Sequence, residues 1–169
     1  MELLTQIKHF ALLLKVISNK LEESVENILK IAISLGKTYI ITNAEKGWVE
    51  YSSQLFMPKV YDLLSDIKII SAREKYEKFY PKDMNQWKIQ AFLFTEKDFE
   101  ELAVMNLVVL GDSMLEMDAA ACLIKKFSNS FIKTIKFQES PTPVELIKQI
   151  KLVIDKLEEI IMSPKNWTV

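Results

Sequence analysis

Leu107-Val108-Val109-Leu110-Gly111-Asp112-Ser113-Met114-Leu115-Glu116-Met117-Asp118 passes from a four-residue apolar run, through a Gly-Asp-Ser punctuation, into a segment that stays apolar to about Phe127. A short aliphatic run bounded by turn residues predicts a strand buried on both faces, and the longer stretch behind it predicts a helix. Strand, turn and helix in that order are the opening of a parallel crossover unit. Its last eight residues, Gly111 to Asp118, concentrate acid at the junction, whereas no aspartate occurs in the first 61 residues.

Working outward, two more short runs read as strands, Tyr39-Ile40-Ile41 ending at Thr42 and Ile67-Lys68-Ile69-Ile70 ending at Ser71. Helical material interrupted at Pro58 lies between them. Phe131-Ile132-Lys133-Thr134-Ile135-Lys136-Phe137 alternates as a strand, and Pro141 and Pro143 introduce a long helix with Leu146, Ile150, Val153, Leu157 and Ile161 on its inner face. Toward the amino end, Leu3, Ile7, Phe10, Leu14 and Ile17 predict an amphipathic helix over residues 2–17. A second helix is predicted over 20–35 from Leu21, Val25, Ile28, Leu29, Ala32 and Leu35, closed by a left-handed Gly36.

The resulting expectation is an α/β fold, a Rossmann-like parallel sheet with helices on both faces, preceded by an N-terminal helix over 1–18. The main domain runs over 19–163, and 164–169 form a surface tail. At 169 residues and 49% apolar composition, one compact domain is expected. Ligands of such sheets collect at the carboxyl ends of the strands, where Thr42, Ser71 and Asp112 fall.

Charge excludes some classes of function. The 22 basic and 23 acidic residues nearly cancel, which argues against nucleic acid as a partner. Three glycines make no phosphate loop or dinucleotide fingerprint. The apolar run Phe10–Ile17 is too short to span a bilayer and is broken by Lys15, so no membrane span is expected. A single cysteine, Cys122, reads as a small buried thiol and fits a reducing compartment. These features point to an intracellular, cytoplasmic protein, with a cilium or organelle left open. His9 has no serine or cysteine motif beside it, which argues against a histidine-assisted nucleophile.

Candidate chemistry gathers at the strand ends. Asp112 and Glu116, four apart, share one side of the first helical turn and have the oxygen donors that Mg²⁺ prefers. Ordinary helix capping by Asp112 and a solvated Glu116 explain the same spacing. Thr42 offers a hydroxyl to a phosphate and Asn43 orients the turn, although both residue types commonly just end strands. Lys88, in the predicted helix over residues 84–89, offers a counter-charge to phosphate, but as an isolated lysine it is read first as a solvated surface cation. Trp48, Trp87 and Phe56 are read first as core.

Taken together, Ile40-Ile41-Thr42-Asn43-Ala44, Trp87-Lys88 and Gly111-Asp112-Ser113-Met114-Leu115-Glu116 resemble the haloacid dehalogenase-like superfamily, over roughly residues 20–161. More narrowly, Thr42-Asn43-Ala44-Glu45-Lys46-Gly47-Trp48-Val49-Glu50, Ile70-Ser71-Ala72-Arg73 and Lys133-Thr134-Ile135-Lys136-Phe137 look like a eukaryotic, largely protist and algal, branch. The resemblance implies that Thr42 is the phosphate-binding hydroxyl, Lys88 the charge-neutralising lysine, and Asp112 with Glu116 the Mg²⁺ acids. It also implies a central first strand ending in Asp-x-Asp, between the strands that end at Thr42 and Asp112. Nothing here matches that strand, because Glu2, Glu22, Glu23 and Glu26 lie in helical contexts without the spacing. The expectation is therefore a degenerate, catalytically inactive domain acting as a scaffold or interaction subunit. A protein partner or a homo-oligomer then covers the exposed sheet edge. The competing expectation is a Mg²⁺-dependent phosphatase whose nucleophile-bearing segment is missing from this chain or supplied by another polypeptide.

Overall fold

The structure, a computed structural model, describes residues 2–99 and 105–168, with side chains from Leu13 onward. It is a mixed α/β arrangement with two small parallel sheets. Helix α1 (Glu2–Leu35) is followed by strand β1 (Tyr39–Thr42), helices α2 (Trp48–Phe56) and α3 (Pro58–Tyr61), and strand β2 (Lys68–Ser71). Helices α4 (Ala72–Tyr76) and α5 (Met84–Leu93) then lead to β3 (Met105–Gly111) and α6 (Met114–Ile124). The chain ends with β4 (Ser130–Lys136), α7 (Pro143–Met162) and β5 (Trp167–Thr168).

One sheet pairs β1 with β2 and the other is ordered β3-β4-β5, all parallel. In the first, Lys68 N donates to Thr38 O at 3.1 Å, and Tyr39 stands opposite Lys68. That register turns the backbone groups of Thr38, Ile40 and Thr42 toward β2 and those of Tyr39 and Ile41 away from it. In the second, Met105 N donates to Asn129 O and Phe137 N to Gly111 O, so Met105, Leu107, Val109 and Gly111 face β4. The groups of Asn106, Val108 and Leu110 face the other way. No ladder joins β1 to β3 among the described residues, so a seam runs between two strand edges.

Helices cover the seam from both sides. On one face, Tyr39 and Ile41 share a cluster with Phe92, Met105, Val109 and Met117, which places α5 and α6 over β1 and β3 together. On the other, α1 reaches both sheets: Val25, Leu29 and Ile33 share the Val60–Leu64–Ile67 cluster with Ile40 and Ile69, while Ile28 and Ile31 share a cluster with Val108, Ile135 and α7. Glu22 is buried on α1, and its carboxylate accepts Lys59 N at 2.8 Å, satisfying a backbone donor at the start of α3. Lys133, fully buried on β4, donates Nζ to Asn106 Oδ1, and Asn106 Nδ2 donates to Ile161 O at 2.8 Å, tying β3 and β4 to α7.

Several expectations change. A single parallel sheet gives way to two, because nothing in the described chain supplies the hydrogen bonds between β1 and β3. The separate helices 2–17 and 20–35 are one helix of 34 residues, so no boundary falls at residue 18; neither glycine nor proline interrupts the stretch. Gly36 has no positive φ; the left-handed glycine is Gly47, φ 82°, leading into α2. The tail is not simply a surface segment, since Trp167 and Thr168 pair with Lys133 and Thr134 and the Trp167 ring joins the α7 cluster. Ile147 and Ile160 are buried on α7, whereas Leu146 and Ile161 are only half-buried. Trp87 is core, but Trp48 and Phe56 are 52% and 62% exposed. Cys122 is half-buried, and the side chain of His9 lies outside the described residues.

Candidate functional site

The carboxyl ends of β1 and β2 carry short polar loops that bond to each other. Thr42 Oγ1 accepts Ala44 N at 3.0 Å, and Ser71 Oγ donates to Ala44 O at 2.7 Å, so Ala44 is held by both strand ends. Ser71 also accepts Glu74 N and thereby caps α4. Asn43 Nδ2 donates to Met84 O at the start of α5, while Asn43 Oδ1 and the neighbouring Asn85 Oδ1 are buried without a hydrogen-bond partner. Thr42 and Asn43 thus act first as terminators of β1.

Lys88 is the residue the sequence placed least well. Instead of being solvated it is 4% exposed, and its Nζ donates to Ile41 O at 2.8 Å and meets Glu116 Oε1 at 2.9 Å. Ile41 O lies on the free edge of β1, where a ladder would otherwise take it, so the lysine replaces a strand partner there. Glu116 reaches this point because α6 begins with a capping box. Ser113 Oγ accepts Leu115 N and donates to Glu116 Oε2 at 2.5 Å, and Ser113 N donates to the same oxygen at 3.3 Å. Burial pushes the Glu116 carboxyl up, but the Ser113 hydrogen bond and the Lys88 ammonium outweigh it and hold the group below its ordinary value of 4.5.

Gly111 makes this approach possible, for a Cβ built there would lie 2.6 Å from Glu116 Cγ. Asp112 is exposed at the mouth of the loop. Asp112 is thus open to solvent, while both Glu116 oxygens are engaged by Lys88 and Ser113. Helix capping, open in the sequence, belongs to Ser113 rather than to Asp112. No three His, Cys, Asp or Glu side chains group as a metal site among the described residues.

A depression of about 210 Å³ lies at this carboxyl end beside Thr42, Lys46, Glu50, Ser71 and Glu74. Glu50 Oε2 is buried there without a partner. A larger one, about 290 Å³, lies at the opposite end of the sheet beside Lys37, Tyr39, Asp66, Lys68 and Asp98, and there Lys68 is paired with Asp98. Asp98 there accepts Tyr39 OH at 3.0 Å and Lys68 Nζ at 2.5 Å; burial and this carboxylate raise the Tyr39 phenol well above its usual range. The sequence reading missed the Tyr39-Lys68-Asp98 cluster, which carries no motif.

No described helix is long and apolar enough to cross a membrane. Nor does any protein-family profile, curated protein or solved structure match the chain, so its geometry stands alone as the guide to function.

Proposed function

We propose that this chain is a degenerate haloacid dehalogenase-like domain with a Rossmann-like core, catalytically silent by itself, serving as a scaffold or interaction subunit. The observation that carries this reading is the state of Lys88. A lysine free to neutralise a phosphate is here consumed by Glu116 and by the Ile41 carbonyl. None of the described strands carries an aspartate or glutamate from which phosphorus could be attacked. Thr42, Asn43 and Lys88 are vestiges of a phosphate cradle, and Asp112 and Glu116 vestiges of a Mg²⁺ site. The unpaired edges of β1 and β3 are where a protein partner or a second copy adds strands. With a generic phosphoester and Mg²⁺, the purified chain should give no turnover that Asp112→Asn abolishes; Asp112-dependent turnover overturns the proposal.

A second reading is favoured by the seam itself. Here the chain is a Mg²⁺-dependent phosphatase whose nucleophile arrives on a strand from another segment or polypeptide. Its test is to supply a strand ending in Asp-x-Asp, fused ahead of Met1 or as a peptide. Turnover that appears with the strand and vanishes in Asp112→Asn supports it, and its failure to appear rejects it.

A further inference from the structure

Helix α2 is turned against the usual sense. Trp48, Tyr51 and Leu55, at helical spacing, fall on one narrow stripe, and each is more than half exposed. The opposite face carries Val49 and Met57, packed on the cluster of Val60, Leu64 and Ile67, with the half-buried Glu50 and Ser53 between them. Burying Trp48 and Tyr51 would take more apolar surface from water than Val49 and Met57 do, so apolar burial alone does not choose this orientation.

What the orientation does is bring Glu50 into the depression of about 210 Å³ beside β2 and α4. There its Oε2 is buried and meets no hydrogen-bond donor among the described residues. The amino end of α2 favours a negative charge in its first turn, but it favours one left in water equally. Taking the oxygen out of water without a donor is unfavourable, and a bound donor reverses that.

The other charges on the wall are answered. Lys46 meets Glu74 at 3.3 Å, Glu45 meets Arg73 at 3.7 Å, and the Lys75 ammonium lies 4.1 Å from the centre of the Phe94 ring. Glu50 is therefore the charge left over among the described residues, and it is negative. On the same wall Thr42 Oγ1 accepts Ala44 N and keeps its own proton to give.

We propose that this depression binds a small primary amine, whose ammonium donates to Glu50 Oε2 and whose own oxygen accepts from Thr42 Oγ1. A phosphate or carboxylate alone does not fit, because it would stand against an uncompensated carboxylate. A divalent cation does not fit either, since it takes several oxygen ligands and no three acidic, histidine or cysteine side chains group as a metal site among the described residues. Size narrows the ligand further. At about 30 Å³ per water the space holds about seven, short of the roughly 300 Å³ at which drug-sized sites begin, so the ligand has a handful of heavy atoms.

Ethanolamine, an ammonium and a hydroxyl on two carbons, is the probe. Titrated into the full chain, it should shift the amide resonances of Gly47, Glu50 and Ser71 saturably, with a Kd of about 1 mM, as suits so few atoms. Choline has the same charge but no N–H, and it should leave those resonances in place. Glu50→Gln keeps the shape and removes the charge; it should weaken ethanolamine by about tenfold or more without lowering the melting temperature of the free chain. Lys46→Gln should bind as the wild-type chain does. Neither Lys88 nor Asp112 takes part, so the result is independent of phosphoester turnover. The absence of a saturable shift overturns the proposal, as does equal binding of choline, which would mean diffuse attraction only. Binding that survives Glu50→Gln, or that inorganic phosphate displaces, overturns it as well.

Discussion

Lys88 and Glu116 meet at 2.9 Å beneath the carboxyl ends of two strands, β1 and β3, that share no ladder. One partner is 5% and the other 15% exposed at the side chain, so the pair is a desolvated clasp across the seam rather than surface decoration. Removing either member leaves a charge without compensation. Glu116→Gln and Lys88→Met should each lower unfolding stability by about 3 kcal/mol. Lys88→Met/Glu116→Gln should lose less than the sum of its single changes, read from urea midpoints. Additive losses would show that the two side chains act independently.

The clasp also fixes a pH dependence. The folded Glu116 carboxyl titrates below its ordinary 4.5, so the stability it contributes is complete above that value. It disappears as the pH falls through the lower, folded value. The stability difference between the wild-type chain and Glu116→Gln should therefore be constant near neutrality and narrow steadily below pH 4.5. A gap that widens in acid contradicts the assignment.

Gly111 is required for space rather than for backbone freedom. In Gly111→Ala the added carbon meets Glu116 Cγ at 2.6 Å and Cβ at 2.8 Å, and the carboxylate must swing away from Lys88. A loss of about 1–3 kcal/mol is expected, with Glu116 titrating closer to 4.5 by carboxyl NMR. An unchanged Glu116 titration would show that the loop yields instead.

The strand registers predict an alternation. Amides of Tyr39, Ile41, Val108 and Leu110 face the seam and should exchange with solvent faster than those of Ile40, Leu107 and Val109, which face a paired strand. Proline at 41 should then be tolerated far better than proline at 40, a difference of roughly 2 kcal/mol or more in stability. Uniform protection along β1 and β3 would mean that the seam is bonded shut.

Local chemistry made the elements legible. Four apolar runs announced β1 to β4, Ser113 and Pro143 marked the starts of α6 and α7, and Gly111-Asp112 marked the turn between β3 and α6. Pairing was not legible, because whether β1 reaches β3 depends on what lies between them in space, and no residue of either strand records that. Lys88 was misread for a related reason: burial of a lysine follows from a distant partner, here Glu116, and from a carbonyl left over by an incomplete ladder. Trp48 and Phe56 mislead in the opposite sense, since α2 is a surface helix with no buried residue. Trp167 joined a sheet with a strand of two residues, too short for any periodicity to announce.

The seam bears finally on how the molecule comes apart. With β1 and β2 on one side and β3 to β5 on the other, α1 and the α5–α6 layer are packed on both. Heat should then open the β1–β2 half before the rest, and calorimetry should record more total enthalpy than a single all-or-none transition implies. A split in the strand ladder is in this sense a split in cooperativity, with α1 as the common strut through which each half feels the melting of the other.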